Sequence, residues 1–208
     1  MKVEVYDDIA CPWCRLGTHQ FHRAVAAAGA EADVELVHRP YQLMPDAPAE
    51  PRPLMDTVVE LFGQEQAEKM LGGMAQLGAS EGIEYRFDRA VAVNTLTAHR
   101  LRWLALHEHG ARVQAALATV LFDAYFRDGV NIADHRQLTD LAERAGLDGG
   151  RVRDFLATEE GSAEVRAQVA AARREGVTTV PRFVFGNGAV VVGVTSTEAL
   201  GDALSGSG

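Results

Sequence analysis

The sequence predicts an α/β protein made of a βαβ unit, a long helical block, and a closing β-hairpin followed by one more helix. Three observations predict it. Strand-like, helical and again strand-like patterns follow one another within residues 2–40, and helical patterns dominate from there to about residue 175. Two apolar runs then flank the turn signal at 186–188.

The βαβ unit comes first. Residues 2–6, "KVEVY", alternate polar and apolar side chains and predict a strand. Pro12 stands where a helix begins, and Gly29 ends a stretch with apolar residues at near-helical spacing. These residues are Leu16, Phe21, Ala24, Val25 and Ala28. A second strand is predicted over 34–37, closed by Pro40.

The helical block begins beyond a proline-rich boundary. Residues 45–53 hold four prolines in nine residues, which excludes a regular helix or a central strand. Apolar spacing predicts a deeply buried helix over 113–124, and another helix from about Ala163 to Glu175. Three aromatic residues are predicted to pack in the core: Phe122, Tyr125 and Phe126.

Two capping boxes mark further helices. Asp134 with Gln137 opens a helix that stops at Gly146, and Thr195 with Glu198 opens the final helix.

These boundaries divide the chain into three segments. Residues 1–40 and 176–208 form the βαβ and ββα parts of one domain, and residues 41–175 form an all-helical insertion within it. A chain of 208 residues is long for one average domain and short for two, as this arrangement requires.

The composition limits the partners. The net charge of −9 opposes non-specific attraction to nucleic acid and to anionic membranes, so neither is expected to bind. No apolar stretch reaches the ~18 residues of a membrane span, and the first ten residues lack the apolar core of a signal peptide. A cytoplasmic location is expected, where a purely structural disulfide is disfavoured.

The stretch "IACPWCRLG" contains both cysteines of the chain, Cys11 and Cys14, at the strand-to-helix junction. Residues three apart on a helix lie about 5–6 Å from one another, close to the separation of a disulfide. The helix N-terminus favours the thiolate of Cys11, which makes Cys11 the nucleophile and the more buried Cys14 the resolving thiol. In a βαβ unit this pattern is typical of a thioredoxin-like redox dithiol.

Neighbouring residues tune this dithiol. Pro12 and Trp13 carry no positive charge, and Trp13 is expected to be partly exposed and to contact substrate. Asp7 and Asp8 oppose ionisation of a nearby thiol, while Arg15 partly compensates. The sequence therefore predicts a redox potential nearer to about −270 mV than to about −120 mV.

A second candidate element lies far along the chain. Thr179, Val180 and Pro181 precede a predicted strand, and a proline there can be cis or trans. A cis bond leaves the backbone of Val180 free to pair with an extended peptide.

Several polar residues have plain structural interpretations. Cys11, Cys14, His19 and His22 could supply four zinc ligands, but they come from one helix, whereas structural sites draw on two elements; no metal is expected. Asn94 is interpreted as a helix N-cap rather than a contact to glutathione or peptide. His99 and Arg100 are expected to make structural polar contacts.

The motifs together resemble a known family. The chain is similar to the DsbA-type branch of the thioredoxin superfamily, and to its cytosolic FrnE-type members. The stretches that carry the resemblance are "CPWC", "RPYQLMP" (39–45), "NTLTAHRL" (94–101), "LFDAYFRDG" (121–129) and "TTVPRFVF" (178–185).

The resemblance implies a thioredoxin-like fold, a central mixed sheet with flanking helices, and thiol-disulfide oxidoreductase or isomerase activity. It places the nucleophile at Cys11, the resolving cysteine at Cys14, and a cis-proline loop at Val180-Pro181. The chain departs from many relatives at Thr179 and at 193–195, so the resemblance does not define the substrate groove.

Two other functions stay open. Kappa-class transferases and 2-hydroxychromene-2-carboxylate isomerases, which the chain resembles around Asn94-Thr95, depend on glutathione and carry Ser at the position of Cys11. The third hypothesis is a zinc-stabilised or chaperone-like binding module. For the leading hypothesis the partners are a disulfide-containing protein or a small thiol; no cofactor is expected, and glutathione can serve as a co-substrate.

Overall fold

A computed structural model describes residues 1–48 and 50–206. The strands are β1 (Lys2–Asp7), β2 (Glu35–Pro40), β3 (Arg52–Pro53), β4 (Val91–Ala92), β5 (Arg182–Phe185) and β6 (Val190–Val192). The helices are α1 (Pro12–Ala27), α2 (Leu54–Phe62), α3 (Gln64–Ser80), α4 (Leu96–His109), α5 (Ala111–Asp123), α6 (His135–Arg144), α7 (Gly149–Leu156), α8 (Ser162–Arg174) and α9 (Thr197–Ser205), with a π-helical turn at Ala124–Asp128. Ala49 of the proline-rich segment, and Ser207 and Gly208 of the last predicted segment, lie outside the described residues.

The central sheet is mixed, with strand order β2-β1-β5-β6. β1 runs parallel to β2 and antiparallel to β5, and β5 runs antiparallel to β6. The predicted hairpin turn is present: Gly188 has φ +93°, and its amide donates to the carbonyl of Phe185 at 2.9 Å. This arrangement is the thioredoxin-like fold that the family resemblance implies.

One hydrophobic core lies between the sheet and α1. Alternation along β1 buries Val3 and Val5 on the side where α1 places Phe21. The Phe21 ring stacks on Phe183 of β5, with 5.3 Å between ring centroids. Stacked aromatic pairs add about 0.5–1.5 kcal/mol to the burial of their area, so this pair fixes α1 against β5.

The helical insertion has a second, larger core. Phe122, Tyr125 and Phe126 are fully buried in it, which confirms that they are core residues. Of the strands described, only β3 and β4 lie in the insertion, where they pair with each other and not with the central sheet. The sequence did not predict this short ladder. No helix in the described part of the chain is both long and apolar enough to cross a bilayer.

The predicted capping boxes are partly correct. Asp134 caps α6, since its carboxylate accepts from the amide of Gln137 at 2.8 Å, but the Gln137 side chain accepts from Asn131 instead of returning to Asp134. The box at Thr195 is wrong: Ser196 is the N-cap of α9 and accepts from the amide of Ala199 at 3.1 Å. Ser196 has the extended backbone of an N-cap, with φ −69° and ψ 154°.

Asn94 is not the N-cap of α4, as predicted, but the residue that precedes the N-cap. Thr95 occupies the N-cap of α4 without a side-chain bond, and Asn94 Oδ1 accepts from the amide of Leu96 at 2.9 Å. The Asn94 amide group also donates to the carbonyls of Pro45 and Ala47, at 2.8 and 3.1 Å. Asn94 therefore joins the start of α4 to the proline-rich segment.

A buried glutamine closes one edge of the sheet. Gln114 of α5 accepts from the amide of His38 at 2.9 Å and donates to the carbonyl of His38 at 3.0 Å. The side-chain amide thus takes the place of a neighbouring strand beside β2. This pairing also fixes His38 below the end of β1.

Candidate active site

Cys11 lies at the N-cap of α1, one position earlier than the first helical turn that the sequence predicts. Its backbone is extended, with φ −93° and ψ 113°, and Pro12 follows at the first helical position. The Cys11 Sγ accepts from the amide of Cys14 at 3.4 Å, and the Cys11 amide donates to the carbonyl of Asp8 at 3.0 Å. The sulfur therefore occupies the place of a capping oxygen, where helix amides stabilise negative charge.

The two cysteines are not bonded to each other and differ in exposure. Cys11 is 3% exposed and Cys14 is fully buried, the order that the sequence predicts. Trp13 between them is 47% exposed, which agrees with the partial exposure expected for it. The outer sulfur is thus the one closer to an incoming molecule.

Burial raises the pKa of the Cys14 thiol well above its ordinary value. The hydrogen bond to Cys11, the charge of Cys11 and the charge of Asp7 act in the same direction, and the main chain of Asp8 opposes them. Cys14 is therefore protonated at neutral pH in the reduced protein.

A buried ionic pair lies below the dithiol. The Asp7 carboxylate accepts from Arg102 at 2.6 Å and from the Nδ1 of His38 at 2.6 Å, and all three side chains are buried. Burial raises the pKa of Asp7, but Arg102 and then His38 outweigh it and lower the pKa to about 2. Burial lowers the pKa of His38 despite Asp7, so a neutral imidazole donates to a carboxylate here.

Asp8 organises the segment before Cys11. Its carboxylate lies 3.2 Å from the Nε2 of His99 and accepts from the amide of Leu43 at 2.8 Å. Its carbonyl accepts from Cys11. Asp8 thereby joins the nucleophile's loop to α4 and to the loop after β2. The structural polar contact expected of His99 is confirmed, as is that of Arg100, which donates to the carbonyls of Thr158 and Glu160.

Arg15 has less freedom to assist the dithiol than the sequence indicated. Its Nη1 lies 2.5 Å from the Oδ1 of Asp123, and Asp123 also pairs with Arg127 at 3.4 Å. A partner carboxylate shares the charge of Arg15, so the compensation expected of Arg15 is reduced.

Tyr85 forms a wall of the site. Its hydroxyl donates to the carbonyl of Pro12 at 2.7 Å, and its ring stacks on Phe87 with 5.3 Å between centroids. Burial raises the pKa of Tyr85, so the hydroxyl stays protonated and acts as a donor. Tyr85 thus joins the insertion to the dithiol segment.

The loop before β5 faces the same region. The peptide bond between Val180 and Pro181 is cis. Val180 is buried in the same hydrophobic cluster as Cys11 and Cys14, whereas Thr179 is exposed. Within residues 1–48 and 50–206, neither the amide nor the carbonyl of Val180 makes a hydrogen bond. Pro181 lies against Gly17, three residues after Cys14 on α1, so the loop packs on the helix that carries the dithiol.

His19 and His22 of α1 lie in surroundings that lower the pKa of both imidazoles. Burial lowers the pKa of His22 to about 4, with His38 and His19 adding to the shift, and burial followed by Arg23 lowers the pKa of His19. Among the residues that the structure describes, no cluster of three or more His, Cys, Asp or Glu side chains is arranged to hold a metal ion.

The sequence did not identify five residues around the dithiol as a unit. They are Tyr85, Arg102, His38, Gln114 and Asp123. Each of them lies at least 24 residues from Cys14 in the sequence, and local spacing carries no signal for contacts over such distances. Only the adjacent acids, Asp7 and Asp8, indicated charge near the cysteines in the sequence.

Comparison with known proteins decides the family. The profile of the DSBA-like thioredoxin domain matches residues 2–205. The chain belongs to the DSBA-like thioredoxin family. The match covers the helical block between β2 and β5 as well as the strands of the central sheet.

Individual proteins resemble this chain in sequence or in fold. A solved structure of a probable DsbA oxidoreductase from Streptomyces coelicolor is 34% identical and covers 99% of this chain and 89% of its own, with a TM-score of 0.89. YwbO of Bacillus subtilis is 28% identical over 99% of this chain and 96% of its own length. Cytosolic disulfide reductase DsbM from Pseudomonas aeruginosa shares the fold, with a TM-score of 0.64. It is 17% identical, and the match covers 97% of this chain and 92% of its own. DsbM has also been solved with GSH.

Proposed function

We propose that this protein is a thiol-disulfide oxidoreductase that exchanges disulfides through Cys11 and Cys14. The observation that carries the proposal is the position of the Cys11 sulfur, at the N-cap of α1 and 3.4 Å from the amide of Cys14. At that place the sulfur meets the amides and the positive end of the helix dipole, which favour a nucleophilic role, and a second thiol lies one turn away.

The reaction has two exchange steps. The Cys11 thiolate attacks one sulfur of a substrate disulfide, forms a mixed disulfide, and releases the other substrate sulfur as a thiolate. Cys14 then loses its proton and attacks the Cys11 sulfur, forming the Cys11–Cys14 disulfide and releasing the second substrate thiol. The substrate gains two electrons and the protein loses two; the reverse sequence oxidises a dithiol substrate.

Burial of Cys14 supports this division of roles. Because its pKa is raised by burial, Cys14 stays a thiol while Cys11 attacks. Formation of the mixed disulfide removes the negative charge on Cys11 that helps to keep Cys14 protonated. Cys14 is then more readily deprotonated at the moment when its thiolate is needed.

The substrate is proposed to lie between Trp13 and the loop of Thr179, Val180 and Pro181. The free backbone of Val180 can pair with an extended chain, as in strand addition. The exposed ring of Trp13 can cover apolar groups next to the substrate sulfur. Disulfide-containing proteins are accordingly the proposed partners, with small disulfides as simpler substrates.

Glutathione is proposed as the thiol that restores the dithiol in the cytoplasm. Two glutathione molecules reduce the Cys11–Cys14 disulfide and leave as glutathione disulfide, which balances the cycle. The structural neighbour DsbM, a cytosolic disulfide reductase solved with GSH, supports this choice of thiol and of compartment. The FrnE-like assignment remains a prediction, and no other cofactor is proposed.

Substitution of Cys14 by Ser tests the proposal against its alternatives. We expect Cys14→Ser to accumulate a mixed disulfide with a peptide disulfide, detected by mass spectrometry, and Cys11→Ser to accumulate none. A glutathione-dependent isomerase or transferase would keep its turnover without Cys14. A zinc-binding module would contain stoichiometric zinc and lose it in either variant. Either of these results would contradict the proposal.

A further inference from the structure

Gly17 of α1 lies in direct contact with Pro181. A Cβ atom at Gly17 would lie 2.7 Å from the Cγ of Pro181 and 3.6 Å from the ring of Phe183. Real Cβ atoms do not approach other heavy atoms to less than 3.0 Å. Glycine is therefore the residue that allows the proline to lie this close to the helix.

The helix itself gives no reason for a glycine at this position. Gly17 is not among the glycines with positive φ, and it lies inside α1, which spans Pro12–Ala27. Glycine inside a helix costs about 1 kcal/mol relative to alanine. The contact with Pro181 accounts for it, because any side chain would push the proline away.

The loop that carries Pro181 is also held on its other side. The carbonyl of Pro181 accepts from the amide of Gly193 at 2.8 Å, and Val180 packs into the core that contains both cysteines. The loop is thus fixed between α1 and the end of the β-hairpin. A side chain at position 17 that pushed Pro181 away from α1 would have to displace Val180 or break the hydrogen bond between Pro181 and Gly193.

We propose that Gly17 is a positioning residue that sets how close the loop of Val180 and Pro181 lies to the dithiol, and so determines the use of extended polypeptide disulfides. The inference rests on the proposed function, because it gives the Val180 backbone the role of pairing with substrate. A small disulfide needs only the Cys11 sulfur and does not depend on that pairing. Gly17 acts through Pro181 and touches no reacting atom.

The test compares Gly17→Ala with Gly73→Ala. Gly73 lies inside α3 with nothing within 4 Å of a Cβ, so its substitution supplies the helix-propensity effect alone. For each protein we would measure the rate of reaction with glutathione disulfide, and kcat and KM for reduction of an extended peptide disulfide. Gly17→Ala is expected to raise the peptide KM by about tenfold and to leave the glutathione disulfide rate within about twofold, since misplacement penalises a positioned substrate. Gly73→Ala is expected to change neither.

A second pair of variants, Pro181→Ala alone and combined with Gly17→Ala, keeps the proposal testable if Gly17→Ala by itself does not fold. Pro181→Ala removes the Cγ atom that a Cβ at Gly17 would meet. Adding Gly17→Ala to Pro181→Ala is therefore expected to change the peptide KM by less than about twofold, because the two changes act through one contact.

The outcomes separate the two proposals. A wild-type protein that reacts with neither disulfide overturns the proposed function and this inference together. A wild-type protein active on both, with a peptide KM unchanged in Gly17→Ala, overturns the role of Gly17 alone. A double variant that fails to fold, or a further tenfold loss on adding Gly17→Ala to Pro181→Ala, shows that Pro181 is not the contact that matters and also overturns it.

Discussion

The hydroxyl of Tyr85 donates a 2.7 Å hydrogen bond to the carbonyl of Pro12. Pro12 lies between the two cysteines in the sequence. The Tyr85 ring is itself fixed, since it stacks on Phe87 and meets Phe126 edge-on with 5.2 Å between centroids. Together with the contacts of His99 and Leu43 to Asp8, this bond makes the helical insertion part of the wall around the dithiol.

Tyr85→Phe removes the hydroxyl and keeps the ring contacts. We expect the free energy of unfolding to fall by about 1 kcal/mol, the usual net value of one hydrogen bond, as measured by urea denaturation. Tyr6→Phe is the control, because the Tyr6 hydroxyl makes only an exposed 3.4 Å contact with Glu175. A Tyr85→Phe protein as stable as wild type would show that the bond contributes nothing.

Asp7 makes stability depend on acid pH. Its pKa in the folded protein is about 2, because Arg102 and His38 outweigh the effect of burial. A carboxyl with a lowered folded pKa stabilises the fold above its unfolded pKa, and that contribution is lost as the pH falls through the folded value. We expect about 2 kcal/mol to disappear between about pH 4 and pH 2.

Asp7→Asn measures this contribution. At neutral pH it leaves Arg102 buried without its carboxylate, so we expect a loss of about 3–5 kcal/mol. The stability difference from wild type should narrow as the pH approaches 2, where wild-type Asp7 also becomes neutral. Adding Arg102→Met should recover part of the loss, since no unpaired charge then remains. A difference that is constant from pH 7 to pH 3 and below would refute the assigned pKa.

Gln114 is predicted to contribute more to the stability of the fold than most polar residues do. Gln114→Ala leaves the amide and carbonyl of His38 buried without partners, and we expect a loss of about 2–4 kcal/mol in urea denaturation. With its carboxyl neutral, Gln114→Glu keeps a carbonyl acceptor and replaces the amide donor with a single O–H donor, so at such a pH its stability should fall between those of alanine and wild type. Gln64→Ala, on the exposed start of α3, is the surface control. Equal stability of the two alanine variants would contradict the account of the sheet edge.

Trp13 is expected to affect substrate use and not stability. It is 47% exposed, so Trp13→Ala should change the free energy of unfolding by less than about 1 kcal/mol. The KM for a peptide disulfide with apolar side chains should rise several-fold, because the ring no longer covers them. The matched peptide with polar side chains is the control. If both peptides respond equally, Trp13 does not contact the substrate as proposed.

Local patterns were enough to predict the framework of the fold. The alternation of β1, the proline at the start of α1 and the Asn187-Gly188 turn each act over a few residues, and the structure has all three elements. The dithiol followed from the same short-range signals, because cysteine spacing and helix position determine which sulfur meets the helix amides.

The surroundings of the dithiol could not be predicted in this way. Arg102 is fully buried on α4, and its partner Asp7 is 95 residues away in sequence. Arginine usually lies on the surface, so burial of this residue follows only from the packing of α4 against β2 and the neighbouring helices. The error at Thr195 has a different cause: two hydroxyl residues adjoin the start of α9, and backbone conformation at Ser196 decides between them.

The most direct test of the central claim is a redox titration of the purified protein in glutathione buffers, with free thiols counted by mass spectrometry and zinc assayed in the same samples. We predict a reversible two-electron transition of Cys11 and Cys14 without metal, at a midpoint nearer to about −270 mV than to about −120 mV. Thiols that stay reduced in every buffer, or that oxidise only after stoichiometric zinc is removed, would contradict the assignment of a redox dithiol.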